Sequence, residues 1–162
     1  MYYAGYQSPL GLLLLTCEDD GLTGIWFGRE IPEKEKPHPI LEETKQWLDA
    51  YFAGQACFRK IPLKPEGTAF QKQVWKILLT IPFGQTRTYG DIAREMAEFT
   101  GKEKMSAQAV GQAVGRNPIS ILIPCHRVIG AKGQLTGYAG GIDKKIWLLR
   151  HEGQQGIKKL ER

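Results

Sequence analysis

The chain has 162 residues, of which 42% are hydrophobic and 24% charged, and its formal net charge is +5. This length suits one ordinary domain or two small ones, and it supplies enough apolar side chains for a buried core. The longest apolar run near the start, LGLLLLTC, is too short to cross a bilayer and lacks the basic leader and cleavage site of a signal peptide. We therefore expect a globular, cytoplasmic protein that has no membrane segment.

The charge is distributed unevenly along the chain. Residues 1–66 carry 7 Lys+Arg against 10 Asp+Glu, a net charge of −3, whereas residues 67–162 carry 15 against 7, a net charge of +8. A basic half joined to an acidic half is typical of a module that binds a polyanion, and a solvated lysine-rich surface has the same composition. Charge alone leaves both interpretations open.

The first part of the chain alternates short β-like runs with turns. The runs MYYAGYQS, GLLLLTC and TGIWFG, with an Asp-Gly turn signal before the last, predict an antiparallel meander. Apolar residues at helical spacing between Ile40 and Phe52 then predict one helix packed on that sheet. The proline-containing stretch KIPLKPEGT reads as an extended connection. We place a domain boundary there, which gives domains 1–66 and 67–162.

The second part is mainly helical in pattern. Thr68 is a candidate N-cap for a helix whose apolar stripe is Phe70, Val74, Ile77 and Leu78. Thr88 and Asp91 form a variant capping box for a second helix, and a third should begin at Ser106 and stop before Pro118. Asp143 is expected to cap a closing helix that ends at Gly153.

The second and third of these helices form a candidate helix-turn-helix. The linking region AEFTGK is longer than the usual tight turn of this motif. The third helix, SAQAVGQAVG, is built almost entirely from small residues, although glycine disfavours helix. Composition alone favours tight packing against another helix as the reason. The alternative is that a helix without bulky side chains presses into a narrow DNA minor groove.

Cys125 and His126 lie side by side in the stretch ILIPCHRVIG. Cys125 has four interpretations: a buried apolar side chain, a metal ligand, a redox thiol or a nucleophile. Three cysteines without a CxxC pair, and three scattered histidines, disfavour the redox and metal interpretations. Neighbouring side chains on a strand face opposite ways, but a turn at Pro124 would let the imidazole reach the thiol. The residues alone leave the buried thiol and the nucleophile open.

The longer stretch NPISILIPCHRVIG, continued by GYAGG and WLLRHEG, resembles the signature of the O6-alkylguanine-DNA alkyltransferases, also called methylated-DNA–protein-cysteine methyltransferases. The resemblance covers about Gly67 to Gly153, and its PCHR core is highly specific. It implies an α+β protein with a small N-terminal ribonuclease-H-like domain built on an antiparallel sheet. It also implies a mostly helical C-terminal domain with a helix-turn-helix of winged-helix-like type.

The implied activity is repair of DNA by a single, irreversible transfer of an alkyl group from O6-alkylguanine to the protein. Cys125 matches the acceptor, His126 the base that takes the thiol proton through a water, and Glu152 the carboxylate that orients this base. Tyr89 matches a tyrosine that crowds the target phosphate and donates a proton to the departing guanine. The family needs no cofactor, and no zinc ligand set is recognisable in this sequence.

The implied partner is double-stranded DNA, bound through its minor groove by a monomer that flips the damaged base out of the stack. The resemblance assigns the third helix, with Ala107, Gln108 and Gly111, to the groove. Gln108 stands where most relatives carry an arginine that fills the space of the flipped base. Pocket and positioning roles are implied for five further residues, which are Asn117, Val128, Tyr138, Ala139 and Lys145.

Other functions remain to be weighed against this one. An alkyltransferase-like protein that binds damaged DNA without repairing it would lack Cys125. A Cys-His hydrolase could use the same three residues, and a purely structural DNA-binding module would leave the cysteine incidental. The small-residue helix and the basic second half favour DNA repair over the hydrolase.

Overall fold

The computed structural model describes residues 1–55, 60–135, 137–138, 140–153 and, for the backbone alone, 158–159. By its contacts the chain divides into two compact units. The first comprises Met1–Glu66 with Pro118–Ser120, and the second comprises Gly67–Asn117 with Ile121–Arg162. Across the described residues, no helix is long and apolar enough to span a membrane.

The first unit is a three-stranded antiparallel sheet with one helix. Strands β1 (Tyr2–Ser8), β2 (Gly11–Glu18) and β3 (Gly21–Phe27) pair in the order β1-β2-β3, as the turn signals predict. Helix α1 (Pro39–Phe52) packs on this sheet. Leu13, Leu15 and Cys17 alternate along β2 and are all buried. They form the core of this unit with β3 and α1 because alternate residues of a strand share one face.

Both edges of this sheet are covered by other segments of the first unit. Tyr3 of β1 exchanges backbone hydrogen bonds with Lys36, and Leu22 of β3 bridges to Leu63. Farther along β3, Ile25 donates to the Pro118 carbonyl over 3.0 Å. The β-branched run ISILI does not form a regular strand. Its Ile119 makes one isolated bridge to Ile25, and the chain turns after it.

Among its described residues, the second unit holds four α-helices and two pairs of short strands. Helices α2 (Ala69–Leu78), α3 (Tyr89–Thr100) and α4 (Ala107–Gly115) precede α5 (Ile142–His151). Strand β4 (Arg87–Thr88) pairs in parallel with β5 (Val128–Ile129), and β6 (Gln134–Leu135) pairs in parallel with β7 (Lys158–Lys159). Single-turn 3-10 helices span Cys125–Arg127 and Ala131–Gly133.

The predicted caps of the first three helices of this unit are confirmed. Thr68 and Thr88 each accept from the backbone three residues on, in full capping boxes, and Ser106 accepts from Ala109. The core between these helices centres on Trp75, whose Nε1 donates to the Ala113 carbonyl over 2.8 Å. The apolar side chains that bury themselves around it are Val74, Leu78, Ile92, Met96, Val110 and Val114.

Two local expectations are wrong. Helix α3 continues through AEFT to Thr100 and is capped by Gly101, whose φ of 72° suits glycine. The connection to α4 therefore lies at 101–106 rather than at AEFTGK, and it is still longer than a tight turn. Asp143 does not cap α5: the N-cap is Gly141, and Asp143 lies inside the first turn. An acidic side chain in the first turn still interacts favourably with the helix dipole, so Asp143 marks the start of this helix in the sequence as a cap would.

Candidate active site

Cys125 and His126 lie on a tight turn. The backbone bends at Pro124 (φ −80°, ψ 65°) and closes a 3-10 turn over Cys125–Arg127, in which the Val128 amide donates to the Cys125 carbonyl. The two side chains are therefore not constrained to opposite faces as on a strand. The turn that our sequence interpretation required at Pro124 is present.

The segment before the turn is held by the end of helix α4. The buried Asn117 side chain donates through Nδ2 to the Ile123 carbonyl over 2.8 Å. Ile121, also buried, adopts a left-handed backbone with φ of 73°, which is unfavourable for a β-branched residue. Such a conformation persists only where the surroundings enforce it. Asn117 thus does more than cap a helix, because it ties α4 to the Cys125 turn.

The Cys125 thiol is buried, and burial raises its pKa. Hydrogen bonds from the Asn117 side chain and the Tyr138 hydroxyl, together with the positive charge of Lys145, offset part of this effect. Because the net direction is upward, the resting sulfur is a thiol rather than a preformed thiolate. A nucleophilic role for this cysteine consequently requires a base.

His126 is completely buried against Glu152. Its Nε2 lies 2.6 Å from Glu152 Oε2. Burial lowers the pKa of His126, the contact with Glu152 opposes this, and the nearby charges of Arg127 and Lys145 add to the lowering. A neutral imidazole that donates its Nε2 proton to Glu152 leaves Nδ1 as a proton acceptor. Nδ1 is buried and has no hydrogen-bond partner within the described part of the chain.

Glu152 is ionised in this arrangement. Burial by itself would raise the pKa of the carboxyl, but hydrogen bonds from His126 and Arg127 outweigh it and lower the pKa to about 2. Arg127 contacts both carboxylate oxygens, through Nε to Oε1 over 2.7 Å and through Nη2 to Oε2 over 3.1 Å. The carboxylate therefore accepts from three side-chain N–H groups and, over 3.5 Å, from the Gly84 amide, in a position buried from solvent.

Lys145 lies inside the second unit rather than at its surface. It is 0% exposed, and its Nζ lies 5.8 Å from the centre of the Tyr89 ring. Burial lowers the pKa of Lys145 to about 8, against an opposing effect of Cys125. Its alternative interpretation as a surface charge is therefore excluded. The Lys145 ammonium group thus lies near the Tyr89 ring of α3 and also acts electrostatically on the Cys125 thiol.

Tyr89 is the first residue of α3 and follows directly on strand β4. In the parallel pairing of β4 with β5, Arg87 lies opposite Val128 and Thr88 opposite Ile129. Since β5 begins immediately after the Cys125–Arg127 turn, this pairing fixes the start of α3 beside that turn. Val128 is fully buried. The structure thus brings Tyr89 and Val128 into the surroundings of Cys125.

Helix α4 presents small residues to the outside. Ala107 and Gln108 are exposed and Gly111 is half-buried on the same side of the helix. A methyl group added at Gly111 would meet only the Tyr89 ring, at 3.8 Å, which is an ordinary contact, and one added at Gly115 would meet nothing within 4 Å. Packing inside the protein does not require these glycines, so the tight-packing explanation fails for both.

The structure describes Tyr138 but not every other residue that the sequence raised. Ala139 and Cys57 lie outside the described residues. Tyr138 is placed beside the Cys125 sulfur, as noted above. Among the described residues, no group of three His, Cys, Asp or Glu side chains could hold a metal ion.

Arg127 is a residue of this site that the sequence interpretation did not single out. Its side chain is buried and its Nη1 donates to the Ile81 carbonyl over 2.7 Å, in addition to its two contacts with Glu152. Its position next to His126 was the available signal. Arginine is usually exposed, however, and its partner lies 25 residues farther along the chain, so the sequence offered no pattern that predicts this pair.

Comparisons with known proteins agree on one family for both units. Residues 1–65 match the family model described as the 6-O-methylguanine DNA methyltransferase ribonuclease-like domain. Residues 69–154 match the model of the 6-O-methylguanine DNA methyltransferase DNA binding domain. Together these matches account for nearly the whole chain.

Individual relatives resemble the chain over most of its length. A methylated-DNA–protein-cysteine methyltransferase of Methanosarcina acetivorans is 48% identical over 94% of this chain and 99% of its own. One from Haemophilus influenzae is 41% identical over 94% of this chain and 86% of its own. The crystal structure of Mycobacterium tuberculosis OGT in complex with DNA has a TM-score of 0.80 at 43% identity, covering 94% of this chain and 92% of that one.

Proposed function

The chain belongs to the 6-O-methylguanine DNA methyltransferase family, and from that premise we propose that Cys125 accepts the alkyl group of O6-alkylguanine in double-stranded DNA. The observation that carries the assignment to Cys125 is its buried thiol on the same turn as His126, whose Nε2 lies 2.6 Å from Glu152 Oε2. This pairing supplies both the nucleophile and the base that nucleophilic displacement needs.

The transfer is a displacement at the alkyl carbon. His126 Nδ1 takes the thiol proton through a bridging water, the sulfur–carbon bond forms, and the bond between that carbon and guanine O6 breaks. The departing guanine takes up one proton, for which the Tyr89 hydroxyl is the donor that we propose. The thiol proton held by His126 then passes through water to the Tyr89 phenolate, which returns both side chains to their neutral forms. The protein then holds a thioether and the DNA an unmodified guanine. Water does not cleave a thioether, so each molecule acts once.

The target atom lies inside the base stack, so the guanine has to be flipped into the protein. We propose that α4 enters the minor groove, which is about 6 Å wide, because its outer face carries Ala107 and Gly111 instead of bulky side chains. Gln108, exposed on the same helix, would occupy the space that the base leaves. Tyr89 lies next to Gly111 and so borders both this face and the thiol pocket.

The pocket residues follow from the same placement. We propose that Tyr138 and Lys145 bound the guanine pocket beside the thiol and that the Val128 carbonyl accepts from the exocyclic amine of the base. We propose the Cys125 carbonyl as a second acceptor for this amine. It already accepts a hydrogen bond from the Val128 amide and has one lone pair left. Ala139 belongs to the same proposal but lies outside the described residues.

We propose the cytoplasm as the place of action, with the protein acting as a monomer. The support is chemical: an acceptor that works only as a free thiol has to remain reduced, and the cytosol keeps thiols reduced.

A time course of repair with DNA in excess tests the proposed function. When duplex containing O6-methylguanine is present at several equivalents, we expect demethylation to stop after one equivalent per protein molecule. The amount of O6-methylguanine remaining in the recovered duplex measures the extent of demethylation. Continued turnover would instead indicate a hydrolase-like enzyme that releases its product, and an unchanged duplex would leave only a DNA-binding module.

Changing Gly111 to alanine should separate stability from DNA binding. The variant should gain roughly 0.5–1 kcal/mol in the free energy of unfolding, because alanine favours helix and its methyl group has room. Its affinity for duplex DNA should nevertheless fall, since that methyl group adds to the face that enters the groove. Chemical denaturation and a DNA titration at fixed salt measure the two effects. Equal or tighter DNA binding would place the groove contact elsewhere.

A further inference from the structure

Arg127 carries a buried positive charge that the mechanism above does not use. Its guanidinium contacts Glu152 at both carboxylate oxygens and reaches the Ile81 carbonyl with its remaining Nη1. The ring of Phe83 lies 5.9 Å from the guanidinium carbon. Three of the five N–H donors of the side chain are therefore committed inside the protein, which holds the guanidinium plane in one orientation.

This orientation determines how Glu152 meets His126. A fork of two parallel N–H groups fixes the plane of a carboxylate, which a single point charge would not do. Oε2 receives Arg127 Nη2 and faces His126 Nε2 at 2.6 Å, while Oε1 receives Arg127 Nε. Glu152 is thus presented to the imidazole through one oxygen, in a position to accept the Nε2 proton as a hydrogen bond.

The charge of Arg127 also decides the protonation state of the imidazole. The ionisable groups that act on His126 are Lys145 on α5, Glu152 at the C-cap of that helix, and Arg127 on its own turn. With Arg127 in place, the Glu152 charge is already neutralised. Without it, an isolated buried carboxylate would lie against Nε2 and favour a second proton on the ring. An imidazolium cannot accept the thiol proton.

We propose that Arg127 is a positioning residue, which neutralises and orients Glu152 so that His126 keeps its proton on Nε2 and offers an unprotonated Nδ1 to Cys125. This rests on the proposed function only for the identity of His126 as the base. The protein then has a four-membered arrangement in which the arginine acts on the cysteine through two intervening side chains.

The first test uses the unmodified protein and needs no repair activity. Nitrogen NMR of histidine-labelled protein gives the protonation state of each of its three histidines, and loss of one signal set in His126→Asn assigns His126. We expect a neutral ring with the proton on Nε2 at pH 7, because the pKa of His126 is lowered and Nε2 faces Glu152. An imidazolium at pH 7, or a neutral ring with the proton on Nδ1, would overturn the proposal.

The second test follows the single-turnover rate of methyl transfer against pH in Arg127→Gln. Relative to the unmodified protein at the same pH, the rate should be roughly tenfold or more lower at pH 6 and should recover as pH rises. Arg127→Lys, which keeps the charge but not the fork, should lie between the two. Arg150→Gln, the same charge change at an exposed position of α5, is the matched control.

The two tests distinguish a positioning role from a structural one. A merely structural arginine would lower the rate by the same factor at every pH, and that result would overturn the proposal. If Arg127→Gln does not fold, the Arg127→Lys profile and the histidine spectrum of the unmodified protein still decide it. If the spectrum is as expected but no methyl group is transferred, the proposed function fails while the assignment of Arg127 to the His126 ring stands.

Discussion

Replacing His126 by asparagine should slow alkyl transfer at pH 7 by roughly 10²- to 10⁴-fold, the usual contribution of a general base. The reason is that burial raises the pKa of the Cys125 thiol, so the sulfur does not ionise without a proton acceptor nearby. Single-turnover kinetics with a duplex containing O6-methylguanine measure the effect. Affinity for the same duplex should change little, because His126 is buried and does not reach the surface.

His38→Asn is the matched control for this experiment. His38 caps α1 by accepting from the Ile40 amide, and asparagine is also a good cap, so this variant loses an imidazole without losing the helix start. It should repair at the rate of the unmodified protein. A His126→Asn variant that also repairs at that rate would show that the thiol is activated by another group.

Replacing Glu152 by glutamine should destabilise the protein by about 3 to 5 kcal/mol, because Arg127 would then be a buried charge without a counter-ion. Chemical denaturation at pH 7 measures this. Glu95→Gln removes a carboxylate that pairs with Arg87 over 2.7 Å at a partly exposed site, and it should cost less than about 1 kcal/mol. Similar losses in the two variants would contradict a buried ion pair at Glu152.

The same carboxylate predicts how stability depends on acid. The pKa of Glu152 is lowered to about 2 in the folded protein from 4.5, so the unfolded chain takes up this proton first as the pH falls. The stabilisation is therefore complete above about pH 4.5 and is lost as the pH falls toward 2. Glu152→Gln lacks this group and should show a shallower loss of stability across that interval.

Local chemistry explains which parts of the fold the sequence could predict. The caps at Thr68, Thr88 and Ser106 involve partners three residues away, and the alternation along β2 is a two-residue pattern, so short windows contain the whole signal. A short window cannot always place the cap at the correct residue. Asp143 lies in the first turn of α5 and not at its N-cap, and an acidic residue stabilises the helix start in either position.

The site was predictable where a motif names its residues, and less so where long-range contacts decide. The motif around Cys125 pointed to His126 and Glu152, whose side chains lie in contact in the structure. Lys145 could equally have been a surface lysine, because nothing near it in sequence indicates that the fold buries its ammonium group beside Tyr89. Arg127 was missed for the same reason, since its role depends on Ile81 and Glu152, which lie far away along the chain.

The identity of the acceptor is tested most directly by the mass of the protein after one encounter with its substrate. Incubation with duplex containing O6-methylguanine should add about 14 Da, one methyl group in place of one proton. Peptide mapping should place this mass on Cys125, and Cys125→Ser should acquire none. An unchanged mass, or a methyl group on Cys17 or Cys57, would contradict the assignment of Cys125 as the alkyl acceptor.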